Sequence, residues 1–159
     1  MDEFTLIEKY FKKLTYNNPS ALNLNDDVFF DKKNNVVIST DSYLEGVHFL
    51  NFRNPDLVIK KIIRSSISDL YCKGVTPKFI FICASGNNIS FSNKNLDIIT
   101  KSLKEEQKKY GIKLSGGDTT KSNKTIFTLV SLGYSKRIVQ RNKCKNGDDI
   151  YVTGNVGDS

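Results

Sequence analysis

Acidic residues stand singly or in pairs at the ends of predicted strands and helices in this chain. Asp41 follows the β-branched run 36–38 and comes directly after the hydroxyls of Ser39 and Thr40. Other acids occupy similar places: Asp26 and Asp27 before a predicted strand, Asp69 at the end of a helical pattern, and Asp118 after a short strand. Carboxylate and hydroxyl oxygens are the ligands that Mg²⁺ prefers. The pattern therefore indicates a site for a hard cation.

The sequence GGDTT at residues 116–120 has two interpretations. Paired glycines allow the backbone to approach a ligand closely, and they are equally common in tight turns. The chain contains neither the Walker A pattern nor a Gly-x-Gly-x-x-Gly loop, so a P-loop or a Rossmann cofactor site is not supported.

Three further polar residues each carry two readings. Asp69 is either an exposed acid or a ligand, and its place at the negative end of a helix dipole calls for a compensating positive charge nearby. His48, the only histidine, is a surface or core residue when taken alone. Arg141 is either one more solvated cation or a residue whose planar guanidinium donates paired hydrogen bonds to phosphate oxygens.

Composition limits the class of protein. The 159 residues carry a net charge of +7, with lysines spread along the chain rather than in one basic run, which favours small anionic substrates over nucleic acid. Three widely spaced cysteines form no zinc pattern and suggest a reducing compartment. No stretch reaches the length of a membrane span and no signal peptide precedes the chain, so we expect a cytoplasmic protein.

Hydrophobic periodicity predicts how these residues are positioned. Apolar spacings of three and four predict an amphipathic N-terminal helix and helices over 55–73 and 92–110. Runs at 26–30, 36–40, 78–84, 112–115, 125–134 and 149–153 predict strands, with 78–84 buried on both faces. Helices that alternate with strands indicate an α/β or α+β domain with a mostly covered sheet.

In order along the chain, these motifs resemble the N-terminal domain of the thiamine-monophosphate kinase family, within the superfamily of aminoimidazole ribonucleotide synthetase. The resemblance covers essentially all 159 residues, and its most specific part is Ser39-Thr40-Asp41 followed by Glu45-Gly46-Val47-His48-Phe49. The remaining matching pieces are Asp26-Asp27, Ser68-Asp69-Leu70, Gly116-Gly117-Asp118-Thr119-Thr120, Arg141 and Gly147 to Gly154. The family's second domain, which completes the substrate pocket, is absent from these residues.

The resemblance implies a function and an architecture. The reaction would be ATP-dependent phosphorylation of thiamine monophosphate to thiamine diphosphate with Mg²⁺, and it would need no catalytic base or covalent nucleophile. A four-stranded mixed sheet packed with helices would pair with that of a second copy in a homodimer. The implied metal ligands are Asp27, Ser39, Thr40, Asp41, Asp69 and Asp118; ATP would contact Gly117, Asp118, Arg141 and Tyr110, and thiamine phosphate would contact His48.

Two alternatives remain open on the sequence alone. One is another ATP-dependent enzyme of the same superfamily that acts on a different substrate. The other is a non-catalytic dimer module that binds Mg²⁺ and nucleotide, because the resemblance covers only the first part of the enzyme. We also expect residues 1–159 alone to bind Mg-ATP weakly and to lack kinase activity, because half a pocket cannot hold both reactants in line.

Overall fold

A five-stranded sheet covered on one face by two helices forms the body of the protein. The computed structural model describes residues 2–149 and 151. The strands are β1 (Phe29–Asp31), β2 (Val36–Leu44), β3 (Pro77–Gly86), β4 (Lys113–Lys121) and β5 (Ile126–Tyr134), in the spatial order β1-β2-β5-β3-β4. Neighbouring strands are antiparallel except β3 and β4, which are parallel and are connected by a helix.

The covering helices begin and end where the sequence predicts. Helix α2 (Pro55–Cys72) has proline at its first turn, and Gly74 follows its end with a positive φ of 71°. Helix α3 (Asn93–Tyr110) ends at Gly111, whose left-handed φ of 65° suits glycine. The core lies between the sheet and the apolar side of α2 and is formed by residues such as Ile59, Ile62, Ile63, Ile80, Phe127 and Leu129. Each such buried side chain contributes about 1.5–3 kcal/mol.

An ion pair attaches α3 to α2. The guanidinium of Arg64 donates two hydrogen bonds, of 2.8 and 2.7 Å, to the carboxylate of Glu106. The side chain of Glu106 is only 2% exposed, whereas that of Arg64 is 45% exposed. This contact offsets the sparse apolar side of α3, where Ile99 is the buried hydrophobic residue.

The N-terminal helical segment differs from the expected amphipathic helix. A short α1 (Glu3–Leu6) continues through a wider helical turn at Ile7–Phe11 and a 3₁₀ turn at Lys12–Thr15. Its apolar residues are exposed rather than buried in the core: Phe4, Leu6, Tyr10, Phe11 and Leu14. The spacing of the apolar residues is consistent with the helical segment, but it does not show whether a partner surface is present.

Several details of the predicted strands differ in the structure. Among the described residues the sheet has five strands rather than four, and β1 begins at Phe29, so the two preceding aspartates lie outside it. The sequence GGDTT is not a turn but the middle of β4. Within residues 2–149 and 151, β3 is covered on one face only, because Phe79, Phe81 and Cys83 lie on the face away from the helices. The strand predicted at 149–153 lies outside the described residues, apart from Asp149 and Tyr151, which are not in a strand.

Across the part of the chain that the structure describes, no helix combines the length and the apolar character that crossing a membrane requires.

We expect Glu106→Gln to destabilise the protein by about 1–3 kcal/mol at pH 7, the range for hydrogen bonds to charged groups. The hydrogen bonds from Arg64 hold the pKa of Glu106 below its ordinary value in spite of burial. The stabilisation is therefore present above the unfolded-state pKa of glutamate and is lost as the pH falls through the lower folded-state pKa. Chemical denaturation at several pH values measures this.

The matched control is Glu105→Gln, which removes the more exposed pair of Glu105 with Lys60 at 3.2 Å. That change should cost less than about 1 kcal/mol. Equal losses for the two variants at pH 7 would contradict the role given to the Arg64–Glu106 pair.

Candidate metal site

A cavity of about 980 Å³ lies beside the carboxyl-side half of β2 and the last turn of α2. Four elements bring polar groups to it: the N-terminal helical segment, the loop before β1, β2 and α2, together with a residue far along the chain. Its lining residues are Glu3, Phe4, Thr5, Ile7, Glu8, Lys9, Leu24, Asn25, Asp26, Asp27, Thr40, Asp41, Asp69 and Arg141.

Two of the aspartates in this cavity have basic partners. The ammonium of Lys73 lies 2.5 Å from Asp26 Oδ1, and both side chains are buried. The backbone N–H of Arg141 also donates to Asp26 Oδ2 at 3.1 Å. Burial alone would raise the pKa of Asp26, but the hydrogen bonds from Lys73 and Arg141 outweigh it and lower the pKa. The guanidinium of Arg141 pairs with Asp27 Oδ1.

Asp41 and Asp69 are held differently, by hydroxyl groups. Ser39, which is almost fully buried, donates to Asp69 Oδ2 at 2.8 Å, and Tyr43 donates to Asp41 Oδ2 at 3.1 Å. Neither of these two aspartates belongs to an ion pair within the described residues. Burial and the negative charge of Asp27 raise the pKa of Asp41, and burial with the charges of Asp41 and Asp27 raises that of Asp69.

The oxygen donors of this cavity fit a hard cation. Besides burial, the charge of Asp41 raises the proton affinity of Asp69, and the charge of Asp27 raises that of both, so a divalent cation would relieve the repulsion. Within residues 2–149 and 151, no three Asp, Glu, His or Cys side chains converge in the arrangement of a complete metal site. The carboxylates thus provide part of a coordination sphere, which suits Mg²⁺ because this ion usually keeps several waters.

The predicted site residues fall into two groups in the fold. Asp27, Thr40, Asp41, Asp69 and Arg141 line the cavity, and Ser39 lies behind Asp69. The remaining residues named for the site lie elsewhere: Gly117 and Asp118 on β4, Tyr110 at the end of α3, and His48 in the turn after β2.

The sheet register fixes the distance between the two groups. Asp41 is level with Leu129, Ile82 and Gly117, so Gly117 lies three strand spacings away, about 14 Å. Asp118 is the residue after Gly117 and pairs with Cys83. Because successive residues of a strand face opposite sides of the sheet, Asp118 lies on the opposite face from Asp41. One chain does not bring Asp118 to the cation that Asp41 would bind.

Gly117 has a structural reason to be glycine. A Cβ atom at this position would overlap the backbone carbonyl of Ile82 on the neighbouring strand. His48 likewise has a local role, because its Nδ1 accepts a hydrogen bond of 2.9 Å from the backbone N–H of Leu44. These contacts leave the ligand roles predicted for both residues untested.

Sequence reasoning missed the contribution of Lys73 and Tyr43. The ammonium of Lys73 pairs with Asp26, but burial and the charges of Asp41 and Asp27 outweigh its effect on Asp69, whose pKa stays raised. Tyr43 has a detectable signal, because residues two apart on a strand share a face and Tyr43 follows Asp41 by two.

Residues 23–134 match the family model of the AIR synthase related protein, N-terminal domain. The chain is 32% identical to a thiamine-monophosphate kinase of Haemophilus influenzae over 165 residues, with 100% of this chain and 49% of the relative covered. It is 34% identical to that of Buchnera aphidicola subsp. Acyrthosiphon pisum over 169 residues, with 99% and 50% covered. The chain therefore spans about half the length of the curated relatives it matches.

Solved structures agree with the sequence relatives. A complex of AaThiL with AMPPCP and TMP is similar with a TM-score of 0.79 and 26% identity, over 90% of this chain and 45% of that one. The thiamine monophosphate kinase of Aquifex aeolicus is similar with a TM-score of 0.76 and 25% identity, over 91% and 46%.

Asp41→Asn and Asp69→Asn should each raise the melting temperature of the metal-free protein at neutral pH, because each removes a charge from a group of like charges. The repulsion between these partly solvated charges is worth about 0.5 kcal/mol, which corresponds to a rise of about 1–2 °C. The raised folded-state pKa means that these carboxyl groups stabilise the fold when protonated, and that this contribution is lost as the pH rises through the raised pKa. The gain over wild type should therefore shrink towards about pH 4.

Thermal melting in a chelating buffer across this pH range measures the effect. Asp97→Asn, on the exposed side of α3, is the control and should leave the melting temperature unchanged. A large loss of stability in both site variants would mean that Asp41 and Asp69 are structural acids.

Proposed function

This chain belongs to the AIR synthase related proteins, and on that premise we propose that it supplies the Mg²⁺- and ATP-binding part of a thiamine-monophosphate kinase. The observation that carries the proposal is that Asp27, Asp41 and Asp69 line one cavity, with Asp41 and Asp69 lacking a basic partner among the described residues. The relatives named thiamine-monophosphate kinase and the AaThiL complex with AMPPCP, an ATP analogue, and TMP support the choice of reaction.

The residues present suit phosphoryl transfer. Bound Mg²⁺ would neutralise charge on the nucleotide phosphates. Asp27, Asp41 and Asp69 would hold the ion, with Thr40 at the same cavity as a further oxygen donor. The accepting phosphate is already anionic, so no general base is required of this chain. The planar guanidinium of Arg141, which lines the cavity, would contact phosphate oxygens.

The other predicted contacts remain part of the proposal. Gly117, Asp118 and Tyr110 would approach ATP, and His48 would lie on the side of thiamine phosphate. The exposed thiols of Cys72, Cys83 and Cys144 accord with a cytoplasmic location, where thiols stay reduced.

A homodimer is the assembly we propose. The sheet face away from α2 and α3 carries a row of apolar side chains that the described part of the chain leaves half-buried or exposed, among them Val36, Ile38, Val130, Leu132 and Tyr134. A contiguous apolar face of this kind is typical of a partner surface. A two-fold axis would pair the face with itself, which is the commonest symmetry of dimers.

Binding of ATP should depend on Mg²⁺, because the carboxylates alone repel the phosphates and the cation reverses the sign of the local charge. We expect calorimetric titration with MgATP to show binding, and ATP in excess chelator to bind at least about tenfold more weakly. Asp41→Asn should greatly reduce this difference, whereas the control Asp97→Asn should retain it. Equal ATP affinity with and without Mg²⁺ would refute the proposed cation site.

The reaction itself is tested by measuring thiamine diphosphate formation from ATP and thiamine monophosphate. We expect product from a protein in which this chain is joined to the half of a thiamine-monophosphate kinase relative that the chain does not cover. Asp69→Asn in that protein should remove activity. Product formation unchanged by Asp41→Asn and Asp69→Asn would place the active site elsewhere.

Self-association should be lost on placing a charge on the open sheet face. We expect sedimentation velocity at micromolar concentration to show a dimer for wild type and a monomer for Ile38→Asp. Leu57→Asp is the matched control, because Leu57 is 59% exposed on α2 and lies on the opposite side of the sheet. A wild-type monomer at these concentrations, or dimers for both variants, would contradict the proposed interface.

A further inference from the structure

Tyr43 connects the core to the candidate metal site. It lies two residues after Asp41 on β2 and shares with it the face towards α2. Only 5% of Tyr43 is exposed, and its hydroxyl donates to Asp41 Oδ2 at 3.1 Å. The donor is therefore a core side chain and the acceptor is a carboxylate of the cavity.

The position of the Tyr43 ring is fixed by packing. The ring belongs to the main core cluster, and the imidazole of His48 meets it edge-on with 5.8 Å between ring centroids and an interplanar angle of 76°. Tyr43 also pairs in register with the fully buried Phe127 of β5. A phenol on a fixed ring can donate in only a narrow range of directions, unlike a hydroxyl on a mobile surface side chain.

The hydroxyl of Tyr43 adds nothing that the core needs. Phenylalanine would fill the same space, and a buried hydroxyl costs free energy unless it finds a partner. That partner is Asp41.

We propose that Tyr43 is a positioning residue that holds the Asp41 carboxylate in one orientation for cation binding. The inference rests on the proposed function, in which Asp41 is a ligand. The phenol occupies Oδ2, so the cation would be bound chiefly through Oδ1. Ser39 does the same for Asp69 by occupying its Oδ2. Fixing a ligand beforehand removes the entropic cost of ordering it when the ion binds.

The test is the affinity for Mn²⁺, used as a paramagnetic substitute for Mg²⁺, measured by electron paramagnetic resonance of the free ion. Tyr43→Phe removes only the hydroxyl and keeps the ring in the core. Loss of such a supporting hydrogen bond lowers metal affinity by about 10–100-fold in metalloproteins, and we expect a loss of about tenfold. Tyr16→Phe, which removes an exposed hydroxyl from the turn after the N-terminal helical segment, should bind Mn²⁺ like wild type.

A double-mutant cycle separates positioning from a general effect on the fold. If Tyr43 acts through Asp41, then Tyr43→Phe should lower Mn²⁺ affinity in the wild-type background and cause no further loss when added to Asp41→Asn. The melting temperatures of Tyr43→Phe and wild type, measured alongside without metal, should be similar because the packing of the ring is unchanged.

Each contrary result has a distinct meaning. Wild-type affinity in Tyr43→Phe overturns the positioning role and leaves the proposed function standing. A tenfold loss that persists in the Asp41→Asn background also overturns it, since Tyr43 would then act independently of Asp41. Absence of Mn²⁺ binding by the wild type, with and without ATP, overturns the proposed function and this inference with it.

Discussion

Repulsion between carboxylates in one cavity is the constraint to which the surrounding structure responds. Like charges this close are unfavourable in a folded protein unless other groups offset them. Lys73 and Arg141 offset the pair before β1, and they do so with full positive charges. Asp41 and Asp69 receive only neutral hydroxyl donors. The cavity is thus neutralised on one side and left negative on the other, and the negative side is where a cation would be bound.

The sheet and α2 make this arrangement possible because both are rigid. Asp41 is carried by β2, which pairs with β5 along its whole length, and Asp69 by the last turn of a helix whose apolar side is fully buried. The hydrogen bond from Ser39 to Asp69 joins the strand directly to the helix. A ligand pair built on two packed elements keeps its geometry better than one built on loops.

The parts of the site that could be predicted from sequence are those with local signals. Asp41 after a β-branched run and Asp69 near a helix end are recognisable because periodicity locates such elements, and the structure brings both to the cavity, although β2 continues past Asp41 to Leu44. The contact of Arg141 with Asp27 joins residues 114 positions apart, and no local pattern encodes it. The strand predicted at 112–115 was not extended through GGDTT because glycine is depleted in strands, and here pairing with β3 overrides that preference.

Gly117 shows how easily a strand contact can be mistaken for a ligand contact. Its φ of 154° would direct a Cβ atom into the backbone of β3, so no side chain fits at this position, whatever binds nearby. A glycine here is explained by the local backbone of β4 and its contact with β3, whether or not a nucleotide binds. Evidence that a nucleotide reaches β4 must come from a residue that strand packing leaves free to vary, and Asp118 beside it, which is exposed, is such a residue.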